Sequence, residues 1–287
     1  VGGEEGKAFF FEKKKQETFV GAVADSADTF LVMVALKRVL VTGGGRRIGA
    51  AIARALAADG WHVVVHYNRS AQDARALAAD IGRTGGRCDT VQADLSDRAA
   101  VAALIPDCIA RFGDLGALIN NASSFRYDSL ETMDAASWDA HMGPNLEAPV
   151  FLAQAFIRAH NGGAGAARDA CVINMLDHKV TALNPDFFSY TVAKIAQAGA
   201  TRLLAQAGGR VRVNGIAPGI TLLSGKQTQA GFERAWAAPP LGRSCTPEEL
   251  ADACRYILAT PSLNGQIVVL DGGDSLVGRG RDVAFET

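Results

Sequence analysis

A short apolar run, Arg38-Val39-Leu40-Val41, opens directly into Thr42-Gly43-Gly44-Gly45, after which Ile48, Ile52 and Leu56 recur at helical spacing until Gly60. Apolar residues three or four apart mark one face of a helix, and a glycine just past them is a common stop. This order of strand, glycine turn and helix constrains the chain more than any other feature. Backbone N–H groups in such a turn can approach a pyrophosphate, and the positive end of the following helix stabilises its charge. Gly43, Gly45 and Gly49 are the candidate residues. Taken alone, three glycines before a helix can equally serve a tight turn.

The alternation continues along the chain. Val63 to Val65 begins a second strand, Ala71 to Ile81 reads as a helix closed by Gly82, and Thr90 to Gln92 as a third strand. Residues 97–112 read as helix, Ala117 to Asn120 as strand, about 134–160 as helix and Cys171 to Met175 as strand. Tyr190 to Ala207 then reads as helix, Val211 to Ile216 as strand and Gln266 to Leu270 as a last strand. Before that strand, Thr246-Pro247-Glu248-Glu249 supplies an N-cap, a proline for the first helical position and acids for the positive helix end. Strands that read as continuous apolar runs are those buried on both faces. The expectation is an α/β fold: a doubly wound Rossmann-type sheet of seven mainly parallel strands, with helices on both faces. It forms a single domain over 37–287, in which 217–245 is an exposed irregular loop.

Composition excludes several classes of function. The 287 residues carry 29 basic against 30 acidic side chains, so no charge excess points to nucleic acid or anionic lipid. Five scattered cysteines with no C-x-x-C spacing suggest neither a disulfide framework nor a metal site, and fit a reducing cytoplasmic setting. Phe30 to Leu36, the longest apolar run near the N-terminus, is far short of the ~20 residues that span a bilayer. Residues 1–36 lack the order of basic region, apolar core and small cleavage site that a signal peptide needs. They remain an extension of unknown role: sequence added in cloning, an early start assignment ahead of Met33, or a native arm that packs on a partner.

The end of the second strand bears on the nucleotide. A ribose 2′-hydroxyl wants a carboxylate about 20 residues past the glycines, whereas a 2′-phosphate wants cations and donors. Here the residues are His66-Tyr67-Asn68-Arg69-Ser70, with no acid among them. Arg69 can pair with phosphate through its planar fork and Ser70 adds a hydroxyl, which favours NADP(H) over NAD(H). Read otherwise, Arg69 is a solvated loop residue and the missing acid a coincidence. Further on, Tyr190 and Lys194 stand at i and i+4 on one helix face. There the ammonium can favour the ionised phenol, lowering a reference pKa of ~10 and making the tyrosine a proton donor near neutral pH.

Together these residues resemble the short-chain dehydrogenases/reductases, and within them the pteridine reductases. The general family carries T-G-x-x-x-G-x-G, N-N-A-G, a serine, Y-x-x-x-K and P-G. This chain carries Thr42-Gly43 through Arg47-Ile48-Gly49, Asn120-Asn121-Ala122-Ser123, Asp177, Tyr190 with Lys194, and Pro218-Gly219. Arg47 stands for the middle glycine, Ser123 for the glycine and Asp177 for the serine, and all three departures look like the pteridine-reductase pattern. So do His66-Tyr67 with Arg69-Ser70, Gln92-Ala93-Asp94-Leu95, Ser124-Phe125 and Asn174-Met175. The resemblance spans residues 37–278.

It implies an NADPH-dependent reductase that transfers hydride to a C=N bond of a pterin or dihydrofolate-type substrate such as dihydrobiopterin, dihydromonapterin or dihydrofolate. Tyr190 would donate the proton, Lys194 would bind the nicotinamide ribose and tune the phenol, and Asp177 would assist proton delivery. Phe125 would stack on the pterin, and Ser123 and Arg47 would reach pterin or cofactor oxygens. The cofactor would also meet Gly43, Ile48, Gly49, Tyr67, Asn68, Arg69, Ser70, Asp94, Leu95, Asn121, Ala122, Pro218 and Gly219, with Ile220 and Thr221 at the nicotinamide end. Asn145 resembles a helical asparagine that helps hold the lysine through water. The resemblance also implies a homotetramer. Taken singly, Phe125 could be a core residue, Ser123 a turn residue, Asp177 a helix cap and Asn145 a solvated helix position. Residues 222–240, with Phe232 and Trp236, are expected to form a substrate lid, and His178 has no assignable role. Two alternatives are a short-chain reductase of ketones or aldehydes and a non-enzymatic NADP(H)-binding regulator.

Overall fold

Val39, Leu40 and Val41 have no solvent exposure. In a strand, side chains alternate between the two faces, so three buried neighbours in a row require cover on both sides. That cover is present over the inner strands of the computed structural model, which describes residues 37–161, 169–223 and 227–285. The expectations for residues 1–36 lie outside the described residues.

Seven strands form one sheet: β1 (Arg38–Val41), β2 (His62–Tyr67), β3 (Arg87–Gln92), β4 (Ala117–Asn120), β5 (Cys171–Met175), β6 (Arg212–Pro218) and β7 (Ile267–Leu270). Their order is β3-β2-β1-β4-β5-β6-β7, and every pairing is parallel. The helices are α1 (Arg47–Ala58), α2 (Ala71–Arg83), α3 (Arg98–Phe112), α4 (Ala135–Met142), α5 (Ala148–Asn161), α6 (Phe188–Ala207), α7 (Gln229–Ala237) and α8 (Pro247–Ala259). Val39, Val41, Val63, Ile119 and Ile173 join one core with Ile52 and Leu56 of α1, Leu77 of α2, and Leu250 and Ile257 of α8. Leu40, Val64, Leu118 and Val172 face the other way, on the side of α3, α5 and α6, where Ile105, Leu152 and Phe156 are buried. The fold is therefore the doubly wound α/β sheet expected from the sequence, with all strands parallel. Among the described residues no helix is long and apolar enough to cross a membrane.

Three expected boundaries change. α2 runs through Gly82 and ends at Thr84, followed by Gly85 at φ +83°, so the left-handed stop lies three residues later than expected. The helix expected over 134–160 is two helices joined by a π-helical turn, Gly143–Glu147, which contains Pro144 and is followed by Pro149; each proline lacks the N–H that regular α-helical bonding needs. The irregular loop at 217–245 contains α7, capped by the Thr228 side chain on the Gly231 N–H. By contrast, α8 starts as expected: the Thr246 side chain accepts from Glu249 N–H, and the Glu249 carboxylate accepts from Thr246 N–H at 2.9 Å.

Two buried polar arrangements position the cleft. Asn120 at the end of β4 donates to Asn174 of β5 at 2.8 Å, and Asn174 donates to Thr201 of α6 at 2.9 Å. This line fixes α6 against the strand ends. At β1, the Gly43 N–H donates to His66 Nδ1 at 3.1 Å, so the proton of the neutral ring sits on Nε2, which donates to the Ala93 carbonyl at 3.1 Å. Burial pushes the His66 pKa down to about 4. The unfolded chain therefore binds a proton that the folded ring refuses between about pH 6.5 and 4, and stability is lost as pH falls through that window. His66→Asn keeps an acceptor for Gly43 without the titration. In urea unfolding across this range it is expected to flatten the acid slope by at most about 1.4 kcal/mol per pH unit; an unchanged slope contradicts the assignment.

Candidate active site

The strand order reverses direction of travel between β1 and β4, and ligands of open parallel sheets lie in the crevice beyond the carboxyl ends at that point. A cleft of about 1510 Å³ opens there. It brings together every residue expected to touch cofactor or substrate from the resemblance, from Gly43 and Arg47 through Arg69, Asp94, Ser123, Phe125, Asp177, Tyr190 and Lys194 to Thr221. Gly45 is not among the lining residues: a side chain there would press on Ala74 of α2 at 3.2 Å, so its role is helix packing.

The floor is stitched by backbone and hydroxyl bonds. Thr42 Oγ1 accepts from the Asn121 and Ala122 N–H groups at 2.9 and 3.0 Å, and the Asn121 amide donates to the carbonyls of Thr42 and Gly43. Gly43 takes φ +60°, where a side chain would also meet Ala122 Cα at 3.0 Å. Arg47 adopts φ +55°, which explains why the general family pattern has glycine here. Its guanidinium donates to the Leu223 carbonyl at 2.8 Å, joining the glycine turn to the loop after β6.

The donor set of this half suits a phosphate-bearing dinucleotide. α1 starts at Arg46 with no side-chain cap and no acid in its first turn, so its N–H groups and positive end stay available to an anion. Ser70, the N-cap of α2, makes no capping bond with its side chain and stands beside Arg69. The acid that lines this half, Asp94, is engaged: the Ser96 hydroxyl and N–H, then Asn68 and Arg69, hold its carboxyl below the usual range.

At the other half, Tyr190 and Lys194 sit one turn apart on α6, both buried. The Tyr190 hydroxyl donates to Asp177 Oδ2 at 2.8 Å. Asp177 Oδ1 accepts from Lys179 N–H at 2.9 Å and caps a short 3₁₀ turn, so the capping role and the contact with Tyr190 coexist in one carboxylate. Lys194 Nζ donates to the Met175 carbonyl at 2.7 Å, and burial pushes its pKa down to about 8 against the pull of Asp177. The expected lowering of the Tyr190 pKa by Lys194 is not what this geometry gives. Burial and the Asp177 carboxylate raise it well above its ordinary value, with the Ser123 hydroxyl acting the other way. The phenol keeps its proton and shares it with Asp177.

Asn145 is fully buried in the π turn, where its amide accepts from Ser124 N–H and donates to Ser124 C=O, both at 2.8 Å. It is not a solvated position; it clamps the strand-four loop that carries Ser123 and Phe125. Phe125 is 40% exposed, so it is not a core residue. Its ring stacks on Phe187 at 4.2 Å and meets Tyr190 edge-on at 4.7 Å. His178 lines the cleft, with Nδ1 3.4 Å from an Asp274 oxygen.

The sequence reading missed one wall of the cleft. Asp282 and Phe285, beyond β7, line it. Arg281 makes a two-pronged pair with Asp186, Lys179 pairs with Asp282 at 2.8 Å, and Phe285 packs edge-on against Tyr127 at 5.0 Å. The available signal was the charge run Arg279 to Asp282 followed by a phenylalanine.

Comparison with known proteins agrees with this arrangement. A family profile described as Enoyl-(Acyl carrier protein) reductase matches residues 44–275. Pteridine reductase 1 of Leishmania tarentolae is 32% identical, the match covering 83% of this chain and 96% of that protein. D-threitol dehydrogenase of Mycolicibacterium smegmatis is 33% identical, covering 83% and 92%. The crystal structure of FolM alternative dihydrofolate reductase 1 from Brucella canis, complexed with NADP, superposes with a TM-score of 0.80 at 42% identity, covering 88% of this chain and 98% of that one. A seven-stranded parallel sheet, a glycine turn at its switch point and a Tyr/Lys pair across from it thus have one account: the chain belongs to the short-chain dehydrogenase/reductase family of oxidoreductases, in its pteridine-reductase-like subgroup.

Proposed function

We propose that the protein is an NADPH-dependent reductase of a C=N bond in a pterin or dihydrofolate-type substrate. The observation that carries this reading is the 2.8 Å hydrogen bond from the Tyr190 hydroxyl to Asp177. Reducing C=N requires a proton on nitrogen as hydride reaches the adjacent carbon, and a phenol backed by a carboxyl offers one proton between two oxygens. Bound NADPH supplies the hydride. Tyr190 gives its proton to the substrate nitrogen, and the phenolate takes up a proton from solvent, relayed by Asp177, which accepts the Tyr190 hydrogen bond in the resting site. Lys194, tethered to the Met175 carbonyl, would bind the nicotinamide ribose. Phe125, braced from behind by Phe187, offers a flat apolar surface to a planar heteroaromatic ring. Arg69 and Ser70 would hold the 2′-phosphate, and Arg47 and Ser123 would reach oxygens of the pterin or the cofactor.

Ketone reduction needs no second carboxyl beside the tyrosine, which is why this alternative ranks below the pterin reading. The intact Tyr190/Lys194 pair argues against a purely regulatory NADP(H)-binding protein. A cytoplasmic homotetramer acting on a small molecule is part of the same proposal.

Steady-state NADPH oxidation with dihydrobiopterin and dihydrofolate tests the roles of the pair. Tyr190→Phe and Asp177→Ala are each expected to lower kcat by about 10²–10⁴-fold, the range lost with a general acid. Pterin turnover unaffected in Asp177→Ala contradicts the role given to this carboxyl. Titration of NADPH and NADH into Arg69→Glu tests the phosphate clamp. NADPH is expected to weaken by ~10-fold or more while NADH changes little, since a charge-assisted bond contributes about 1.5–3 kcal/mol. Equal losses for both cofactors contradict the clamp.

A further inference from the structure

Beneath the substrate side of the cleft lies a buried polar line that plays no part in the reaction described above. Ser189, directly before Tyr190, and His141 of α4 have no solvent exposure, and Asp128 is 2% exposed. The direction of each hydrogen bond follows from one fixed donor. The Arg126 N–H donates to His141 Nε2 at 3.1 Å, so the ring proton is on Nδ1. Nδ1 then donates to Ser189 Oγ at 2.6 Å, and the Ser189 hydroxyl is left to donate to Asp128 Oδ2. The same carboxylate accepts from Ser189 N–H at 3.2 Å, and the Asp128 carbonyl accepts from Phe188 N–H at 3.3 Å. The loop over 125–128 is thus fastened to the first turn of α6. That loop carries Phe125, and that turn carries Tyr190.

We propose that His141, Ser189 and Asp128 are positioning residues: they set the Tyr190 hydroxyl and the Phe125 ring in one fixed relation, so that proton transfer depends on a hydrogen-bond line that never touches substrate. The inference rests on the reading of Tyr190 as the proton donor. It assigns these residues no part in cofactor binding, because none of the three lines the cleft. His141 also packs edge-on against the Tyr190 ring at 6.0 Å. Every bond in the line runs one way, so it tolerates one tautomer. Protonation of His141 turns Nε2 into a donor facing the Arg126 N–H, and the fastening to the loop is lost. The charged and titratable groups around the ring are Asp128 and Arg126 of the loop and Tyr190 of α6. Burial holds the His141 pKa below its ordinary value, Arg126 acts in the same sense, and Asp128 opposes them.

The test uses the full chain, NADPH and dihydrobiopterin, with the NADPH dissociation constant and melting temperature measured in parallel. Ser189→Ala is expected to lower kcat by about 10- to 100-fold, the scale of a small misplacement of reacting groups, while NADPH affinity is retained. Ser189→Thr, which keeps the hydroxyl, is expected to restore most of kcat. His141→Gln keeps an acceptor for Arg126 and cannot be protonated. Wild-type kcat is expected to fall reversibly in acid, at a pH below the ordinary histidine range because burial holds the His141 pKa down, and that fall should be reduced in His141→Gln. Unchanged kcat in Ser189→Ala, or a loss that Ser189→Thr does not rescue, overturns the proposal. If Ser189→Ala fails to fold, an acid limb that persists unaltered in His141→Gln overturns it instead. An enzyme that reduces ketones and not dihydrobiopterin contradicts the substrate reading alone, and the same variants scored on the ketone still decide the network.

Discussion

A buried line of hydrogen bonds, from Asn120 to Asn174 to Thr201, ties the carboxyl ends of two adjacent parallel strands to the helix that carries Tyr190 and Lys194. In a region shielded from water, a broken link strands a polar group at a cost of about 1–3 kcal/mol, so the line specifies one seat for the helix. The anchoring of Lys194 of the same helix on the Met175 carbonyl at the end of β5 adds to the same constraint. The alternating strands and helices build the crevice, but this polar stitching decides where the phenol and the ammonium stand within it.

Much of this was legible in the sequence because its signals are local. A turn that must lie close to another backbone shows as glycine at 43 and 49, a strand covered on both faces shows as an unbroken apolar run at 39–41 and 171–173, and a capping box shows as Thr246 with Glu249. Asp177 also showed, as a carboxylate in a place where the family pattern has serine. What could not be read depends on residues far apart in sequence. The Tyr190 pKa was expected to fall because Lys194 is near in sequence; burial and Asp177, 13 positions away, send it up. Gly82 looked like a helix stop because nothing local distinguishes it from Gly85. Asn145 could be read either as a helical asparagine that helps hold the lysine through water or as a solvated position, because no short-range pattern reveals that both ends of its amide meet Ser124.

The cleft is also more aromatic than the sequence suggested. Phe187 braces Phe125, Tyr127 meets both Phe187 and Phe285, and the last of these comes from beyond the final strand. Rings that pack face to face and edge to face in this way hold one another more rigidly than isolated side chains, which suits a surface that must lie flat against a planar ligand. The tail reaches this position through ion pairs of Arg281 with Asp186 and Asp282 with Lys179. The dinucleotide half depends on backbone N–H groups and helix ends, whereas the substrate half depends on side chains drawn from three separate loops.

The account's central claim is that a phenol and a carboxyl, paired beside a flat aromatic wall, serve a C=N substrate. The most direct test is the initial rate of NADPH oxidation by the unmodified protein, with dihydrobiopterin and dihydrofolate set beside a panel of simple ketones and aldehydes. The account predicts turnover of the pterins and little or none of the carbonyl compounds. Carbonyl turnover without pterin turnover would contradict it and reduce Asp177 to the cap of a short turn.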